Sequence, residues 1–160
     1  MEASPPADAG LIDALAQIAF TVMAVLNKVG AEHDLSLTQL RVLGILRDRR
    51  LRITTLADYL GLEKSTMTGL VDRAEKRGLL ARAPSPTDRR AVDVFITPAG
   101  EALAGPVYGR VVELLTPLID TLGPAERSRL QTLLERMLRT GPEAATSGMF
   151  AASDRSATGR

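Results

Sequence analysis

TTLADYLGLEKSTMTGLVDRAEKRGLLARAPSPTDRRAVDVFITPAG, residues 54–100, is the stretch that decides the fold. Its first seven residues predict a short helix, capped by Thr54 or Thr55 and stopped at Gly61. After a short turn, residues 63–78 predict a second helix. Its apolar positions Met67, Leu70, Val71 and Ala74 recur at steps of three or four or side by side, and Gly78 fits its C-terminal stop. Two short helices joined by a Gly-containing turn make a helix-turn-helix candidate. Residues 79–83 and 91–97 are β-prone, and the second run alternates Val92, Val94 and Ile96 against Asp93 and Phe95. Between them PSPTDRR is too polar and Pro-rich to be anything but a loop. Strand, loop and strand directly after the second helix make a winged helix. Thr97-Pro98 then reads as an N-cap followed by Pro at the first helical position.

Working outward, Ser36-Leu-Thr-Gln39 has the spacing of a capping box and opens a helix that ends near Arg49. Residues 51–53 form a β-like stub. On the N-terminal side Leu11, Leu15, Ile18, Val22, Leu26 and Val29 make a continuous apolar stripe on one helix reaching about Ala31. On the C-terminal side Leu103, Val107, Val111, Leu114, Leu115 and Leu118 mark another helix. Pro106 is expected to bend it or delay its regular part. Gly123-Pro124 starts a last helix carrying Leu130, Leu133, Leu134, Met137 and Leu138. The expected architecture is mainly α with a small β-wing. A winged helix-turn-helix over 36–97 stands between dimerisation helices over 10–35 and 98–140, with a flexible N-terminus over 1–9. In residues 141–160 thirteen of twenty are Ala, Ser, Thr or Gly, so a disordered tail is expected there.

Composition narrows the function. At 160 residues with 45% hydrophobic content, the chain makes one domain with a real core, or one domain with a dimerising extension. Aromatics are 3% with no Trp, against a carbohydrate site or a single-strand binder that stacks bases on aromatic faces. No Cys and one His exclude disulfides and thiol chemistry and leave too few ligands for structural zinc, so neither metal nor cofactor is expected. No uninterrupted run of about eighteen apolar residues occurs, so no membrane span is expected. The N-terminus lacks the basic-then-apolar order of a signal peptide, so a cytoplasmic location is expected. A net charge of +1 hides an asymmetry: residues 41–90 hold twelve Lys/Arg against six Asp/Glu, and the remainder holds eight against thirteen. A basic middle between acidic ends fits a polyanion partner, although a solvated charged face produces the same pattern.

Three linked motifs carry a resemblance: LTQLRVLGIL (37–46), ADYLGLEKSTMTGLVDRAEKRGLLAR (57–82) and PTDRRAVDVFITPAG (86–100). In this order and spacing, Leu37 to Gly100 resembles the multiple-antibiotic-resistance regulator (MarR) family. The flanking helices match in length and apolar pattern only. The resemblance implies a homodimeric winged helix-turn-helix transcriptional regulator on an inverted-repeat operator in double-stranded DNA, often a repressor released by a small molecule. Lys64, Ser65, Thr66 and Thr68 lie where a recognition helix meets base edges, and Arg73 one turn on reaches a phosphate or base. Lys76 and Arg77 read as solvated or phosphate-directed. In the wing, Asp88 and Arg90 match the family's Asp-x-Arg pattern. The Asp is expected to hold the Arg90 guanidinium at the minor groove, with Arg89 on a phosphate. Two positions depart from the pattern. Glu63 stands where a better-capping Asp is common, and Gly69 where a longer, often basic side chain is common. Family ligand pockets lie between the first, second and fifth helices, and Phe20, Asn27, His33, Arg41 and Tyr108 are candidates to line one. For His33 a surface or capping role is the ordinary reading.

Two other classes compete. A winged-helix module that binds protein and has no operator uses the same fold, but it does not call for basic residues on both helix and wing. An enzyme is not expected: Asp72 and Glu75 beside Arg73 and Lys76 read as ion pairs, and no nucleophile, base and oxyanion set is visible.

Overall fold

The computed structural model describes residues 8–140. The order is α1 (Ala9–Glu32), α2 (Leu37–Leu46), β1 (Leu51–Arg52), α3 (Ile53–Leu60), α4 (Lys64–Lys76), β2 (Leu80–Pro84), β3 (Val92–Ile96), α5 (Pro98–Ile119) and α6 (Pro124–Thr140). The helix-turn-helix is α3–α4 and the wing is β2–β3. The three strands are antiparallel with β3 in the middle, Leu80 opposite Ile96 on one side and Leu51 opposite Val94 on the other. The expected tail lies outside the described residues, as do residues 1–7. Asp8 and Ala9 are already the start of α1, which shortens the expected flexible N-terminus.

The helix boundaries follow local chemistry. The capping box is formed: the Gln39 amide donates to Ser36 Oγ at 3.2 Å and the Ser36 amide to Gln39 Oε1 at 2.9 Å. α2 ends at Leu46, one turn short of the expected Arg49. Neither Thr54 nor Thr55 caps α3; Arg52 holds the N-cap position without a side-chain cap, and both threonines lie inside the helix. Three helices end in one device. Asp34, Gly61 and Gly78 take the left-handed conformation, and the next residue, Leu35, Leu62 or Leu79, donates its amide back to the carbonyl of Gly30, Ala57 or Ala74. Leu35 and Leu79 are buried and Leu62 half-buried, so each cap drives a leucine into the core as it turns the chain.

That core lies between the winged domain and the facing sides of α1 and α5, with Val29, Leu46, Leu56, Met67, Val71 and Val94 sealed inside. β3 keeps the expected alternation only in part: Val94 and Ile96 are buried, but Val92 at the wing end is exposed and Asp93 is buried. α5 runs unbroken from Pro98 through Pro106 and Pro117, so Pro106 does not delay it. α1 and α5 are long and apolar enough to cross a membrane by length and composition. Isolated polar residues such as Asp13 and Gln17 break any uninterrupted run in α1 while leaving its average apolar. Here each packs on the core through one side, α1 with Leu26 and Val29 and α5 with Val107 and Val111.

Thr97 joins wing to helix. Its Oγ1 accepts the Gly100 amide at 3.0 Å and donates to the Gly78 carbonyl at 2.5 Å, while its own amide donates to Leu79 O at 3.1 Å. Gly100 is required there, since a Cβ would collide with the Leu79 carbonyl and with Ile96 Cγ1. Both obstacles are anchored, one as backbone and the other as a core side chain. Gly100→Ala is therefore expected to lower the unfolding free energy by about 1–3 kcal/mol. Urea unfolding checks this, and an unchanged midpoint would refute the close approach.

Candidate nucleic-acid interface

α4 is two-sided. Met67, Leu70, Val71 and Ala74 face the core, while Lys64, Ser65 and Thr66 in the first turn are exposed. Glu63 holds the N-cap position without a side-chain bond, so the first-turn amides lack a side-chain acceptor from the N-cap. Thr68 Oγ1 donates to the Lys64 carbonyl at 2.8 Å, which fixes its rotamer and leaves its oxygen only as an acceptor toward any partner. Arg73 folds back along the helix, its Nη1 3.6 Å from where a Cβ on Gly69 would stand. A Cβ at 69 would meet Arg73 only in ordinary van der Waals contact.

The acidic residues of α4 do not pair as expected. Asp72 and Glu75 turn away from Arg73 and Lys76 and grip Arg82 of β2, whose Nη2 donates to Asp72 Oδ1 at 2.6 Å and Nη1 to Glu75 Oε2 at 2.5 Å. The spacing of three puts both carboxylates on the side facing the sheet, where one guanidinium fork satisfies both. Arg77 is exposed, and it donates to the carbonyls of Asp34 at 2.6 Å and His33 at 3.2 Å, anchoring the end of α4 to the α1–α2 corner.

In the wing, Ala91 N donates to the Asp88 carbonyl and Ser85 N to the Ala91 carbonyl, each at 2.9 Å, closing a tight turn. Asp88 does not hold the Arg90 guanidinium. One of its oxygens accepts the Arg90 backbone amide at 3.0 Å, and the other accepts from Arg52 of β1 at 3.1 Å. A guanidinium two residues away would have to fold back over the turn, whereas Arg52 already points along the sheet toward the loop.

These contacts sort the cations of the basic middle. Arg47 lies over the Tyr108 ring at 5.0 Å and Arg50 over Phe95 at 4.2 Å, while Arg49, Arg52, Arg77 and Arg82 hold carboxylates or carbonyls. Among the described residues Lys64, Arg73, Lys76, Arg89 and Arg90 have no carboxylate within ion-pair distance, and all five are exposed. A cleft of about 270 Å³, lined by Arg52, Ile53, Thr54, Lys64, Ala91 and Val92, places the start of α4 and the base of the wing on one side of the molecule.

A separate apolar cavity of about 30 Å³ separates α2 from α5, lined by Leu40, Leu43, Gly44, Arg47, Ala104, Val107, Tyr108 and Val111. It continues along α5 as a groove of about 220 Å³ that shares Tyr108 and Val111. Of the five expected lining residues it takes Tyr108 alone. Phe20 and Asn27 are exposed on α1, His33 is at the α1–α2 corner, and Arg41 lines neither space. Arg47 closes the cavity on the α2 side, and no local sequence motif marks it. Among the described residues no group of His, Cys, Asp or Glu has the arrangement to hold a metal ion.

Known proteins agree with this geometry. Residues 33–91 match the sequence profile of the MarR family. The chain is 31% identical to the transcriptional regulator Tm0710 from Thermotoga maritima, whose structure superposes with a TM-score of 0.62 over 80% of this chain and 91% of that one. The chain belongs to the MarR family. It is also 29% identical over 131 residues to the HTH-type transcriptional regulator PecS of Dickeya dadantii, covering 79% of each. A third similarity, at 25% identity and a TM-score of 0.68 over 87% of this chain and 100% of the other, is to Bordetella bronchiseptica BpsR, whose DNA binding is regulated by 6-hydroxynicotinic acid. The MarR-family relatives are transcriptional regulators, a non-enzymatic role, and DNA binding is the activity of the helix-turn-helix they share.

Within this MarR-family fold, Arg82 braces α4 against the wing. Arg82→Ala leaves two facing carboxylates without a cation and is expected to cost about 1–2 kcal/mol of stability, discounted for partial exposure. Arg82→Lys should restore less than half, because an ammonium cannot bridge both oxygens as a fork does. Equilibrium unfolding of both variants decides; wild-type stability of Arg82→Ala would show that the brace is idle.

Proposed function

We propose that two copies of this chain bind an inverted-repeat operator in duplex DNA, repress transcription in the cytoplasm, and release the DNA when a small aromatic acid binds. The supporting observation is a set of five exposed cations without a carboxylate partner, three on α4 and two at the wing tip, with the start of α4 and the base of the wing bordering one cleft. In this reading Ser65, Thr66 and the Thr68 oxygen and methyl face base edges, Lys64 and Arg73 reach phosphate or base, Arg90 enters the minor groove and Arg89 lies on a phosphate. The dimer rests on α1 and α6. Leu11, Ile12 and Ile18 on α1 are more than half exposed, and α6 exposes Leu130, Leu133, Leu134 and Met137 at helical spacing, with none of the described residues 124–139 buried. A second copy covers such stripes and sets two recognition helices about one helical turn of DNA apart. Arg90→Ala is expected to weaken operator binding at least tenfold, with little change in thermal stability and a salt dependence shallower by about one ion. Gel-shift titrations across salt check it, and unchanged affinity would remove the wing from the interface.

The effector reading rests on the α2–α5 cavity. Its walls are apolar apart from the Tyr108 hydroxyl and the Arg47 guanidinium, a pairing suited to an aromatic ring bearing a carboxylate. BpsR, regulated by such an acid, supports the class. At about 30 Å³ the cavity holds no more than water, so a ring enters only by parting α2 from α5. α2 belongs to the winged domain and α5 leads to the dimer helices, so parting them moves one against the other. Arg47→Ala is expected to keep operator affinity within about threefold while raising the 6-hydroxynicotinate or related aromatic acid needed for release by about tenfold. Release at the wild-type concentration would exclude Arg47 from the effector site.

A further inference from the structure

We infer that Arg52 is the positioning residue of the wing: through Asp88 it fixes the backbone that carries Arg90, and so sets how Arg90 meets DNA. The relay has three members. The Arg52 guanidinium donates to Asp88 Oδ2 at 3.1 Å, and Asp88 Oδ1 accepts the Arg90 amide at 3.0 Å. Among the described residues this is the sole side-chain hydrogen bond from loop 85–91 to any other element; the Ser85–Thr87 contact stays within the loop. Without it the tip is joined to the rest of the fold only through the ends of β2 and β3.

Arg52 is itself well placed to hold. It stands opposite Asp93, a buried residue of β3, across the β1–β3 ladder. Arg50, on the same side of the strand, stacks on Phe95 at 4.2 Å. β1 is only two residues long, so these side chains do what a longer ladder does elsewhere. The pair is about half exposed, 47% for Arg52 and 44% for Asp88, so its effect on global stability is small. Its effect on a flexible tip is a different quantity. Holding the tip in one form before DNA arrives lowers the ordering cost of binding.

This inference rests on the wing reading proposed above, and the experiment separates the two. Arg52→Gln removes the charge and is made in the full chain, alone and together with Arg90→Ala. Operator affinity is measured across a salt series, and exchange of the Arg90 amide is followed in the DNA-free protein. Positioning predicts that Arg52→Gln alone weakens binding about three- to fivefold with the wild-type salt dependence. In the Arg90→Ala background it changes affinity less than twofold, because the side chain being positioned is gone. The Arg90 amide exchanges faster. A loss that adds fully to that of Arg90→Ala, with a salt dependence shallower by about one ion, makes Arg52 a phosphate contact and overturns the inference. Unchanged exchange at the Arg90 amide overturns it as well. Wild-type binding by Arg90→Ala alone instead defeats the wing reading, while the exchange rate still reports whether Arg52 holds the turn.

Discussion

The structure depends on one close approach, the first turn of α5 pressed against the chain between α4 and β2. Gly78 ends the recognition helix, Leu79 enters the core, and Thr97 reaches back to both while capping α5. Gly100 has no side chain because the Leu79 carbonyl occupies the place one would take. Three functional parts therefore meet within a few residues: the helix offered to DNA, the wing, and the long helix leading away from them. Any loosening here separates all three at once.

From that seam outward, charge is distributed by a simple rule. Basic groups near a joint are held within the protein: Arg82 by carboxylates between α4 and β2, Arg52 by a carboxylate between β1 and the wing, and Arg77 by backbone carbonyls between α4 and the α1–α2 corner. Those on the outward surface of α4 and the loop tip are not. A guanidinium paired with a carboxylate offers little field to a phosphate, so the net basic balance of residues 41–90 overstates the field they present to a polyanion. What counts is the smaller unpaired set.

The sequence made the local devices plain. The Ser36–Gln39 capping box, the stops at Gly61 and Gly78, and the Thr97-Pro98 start each act within a few residues, where spacing alone determines the bond. Linked in order, they also revealed the winged helix and its family. Partner choice was less legible. Asp88 stands two residues from Arg90 and thirty-six from Arg52, yet it holds the side chain of the latter, because β1 pairs with β3 and brings Arg52 under the loop. Asp72 and Glu75 likewise pass over their helical neighbours for Arg82. Such choices depend on strand register, which short-range spacing does not contain. The cavity was legible only at Tyr108; Arg47 sits in a run of arginines whose separate partners no periodicity distinguishes. Nor did counting unbroken apolar runs show how apolar α1 and α5 are.

The division of α4 into an outward and an inward side has a consequence for engineering. Transplanting a recognition helix from another regulator is the usual way to give a repressor a new target. Here such a graft must keep Asp72, Glu75 and Arg77, which connect α4 to β2 and to the α1–α2 corner. Exposed positions such as 64, 65, 66, 73 and 76 make no such tie among the described residues. A Cβ at 69 would touch the Arg73 guanidinium at 3.6 Å, an ordinary contact, so a side chain chosen there packs directly on Arg73 and the two positions are best varied together.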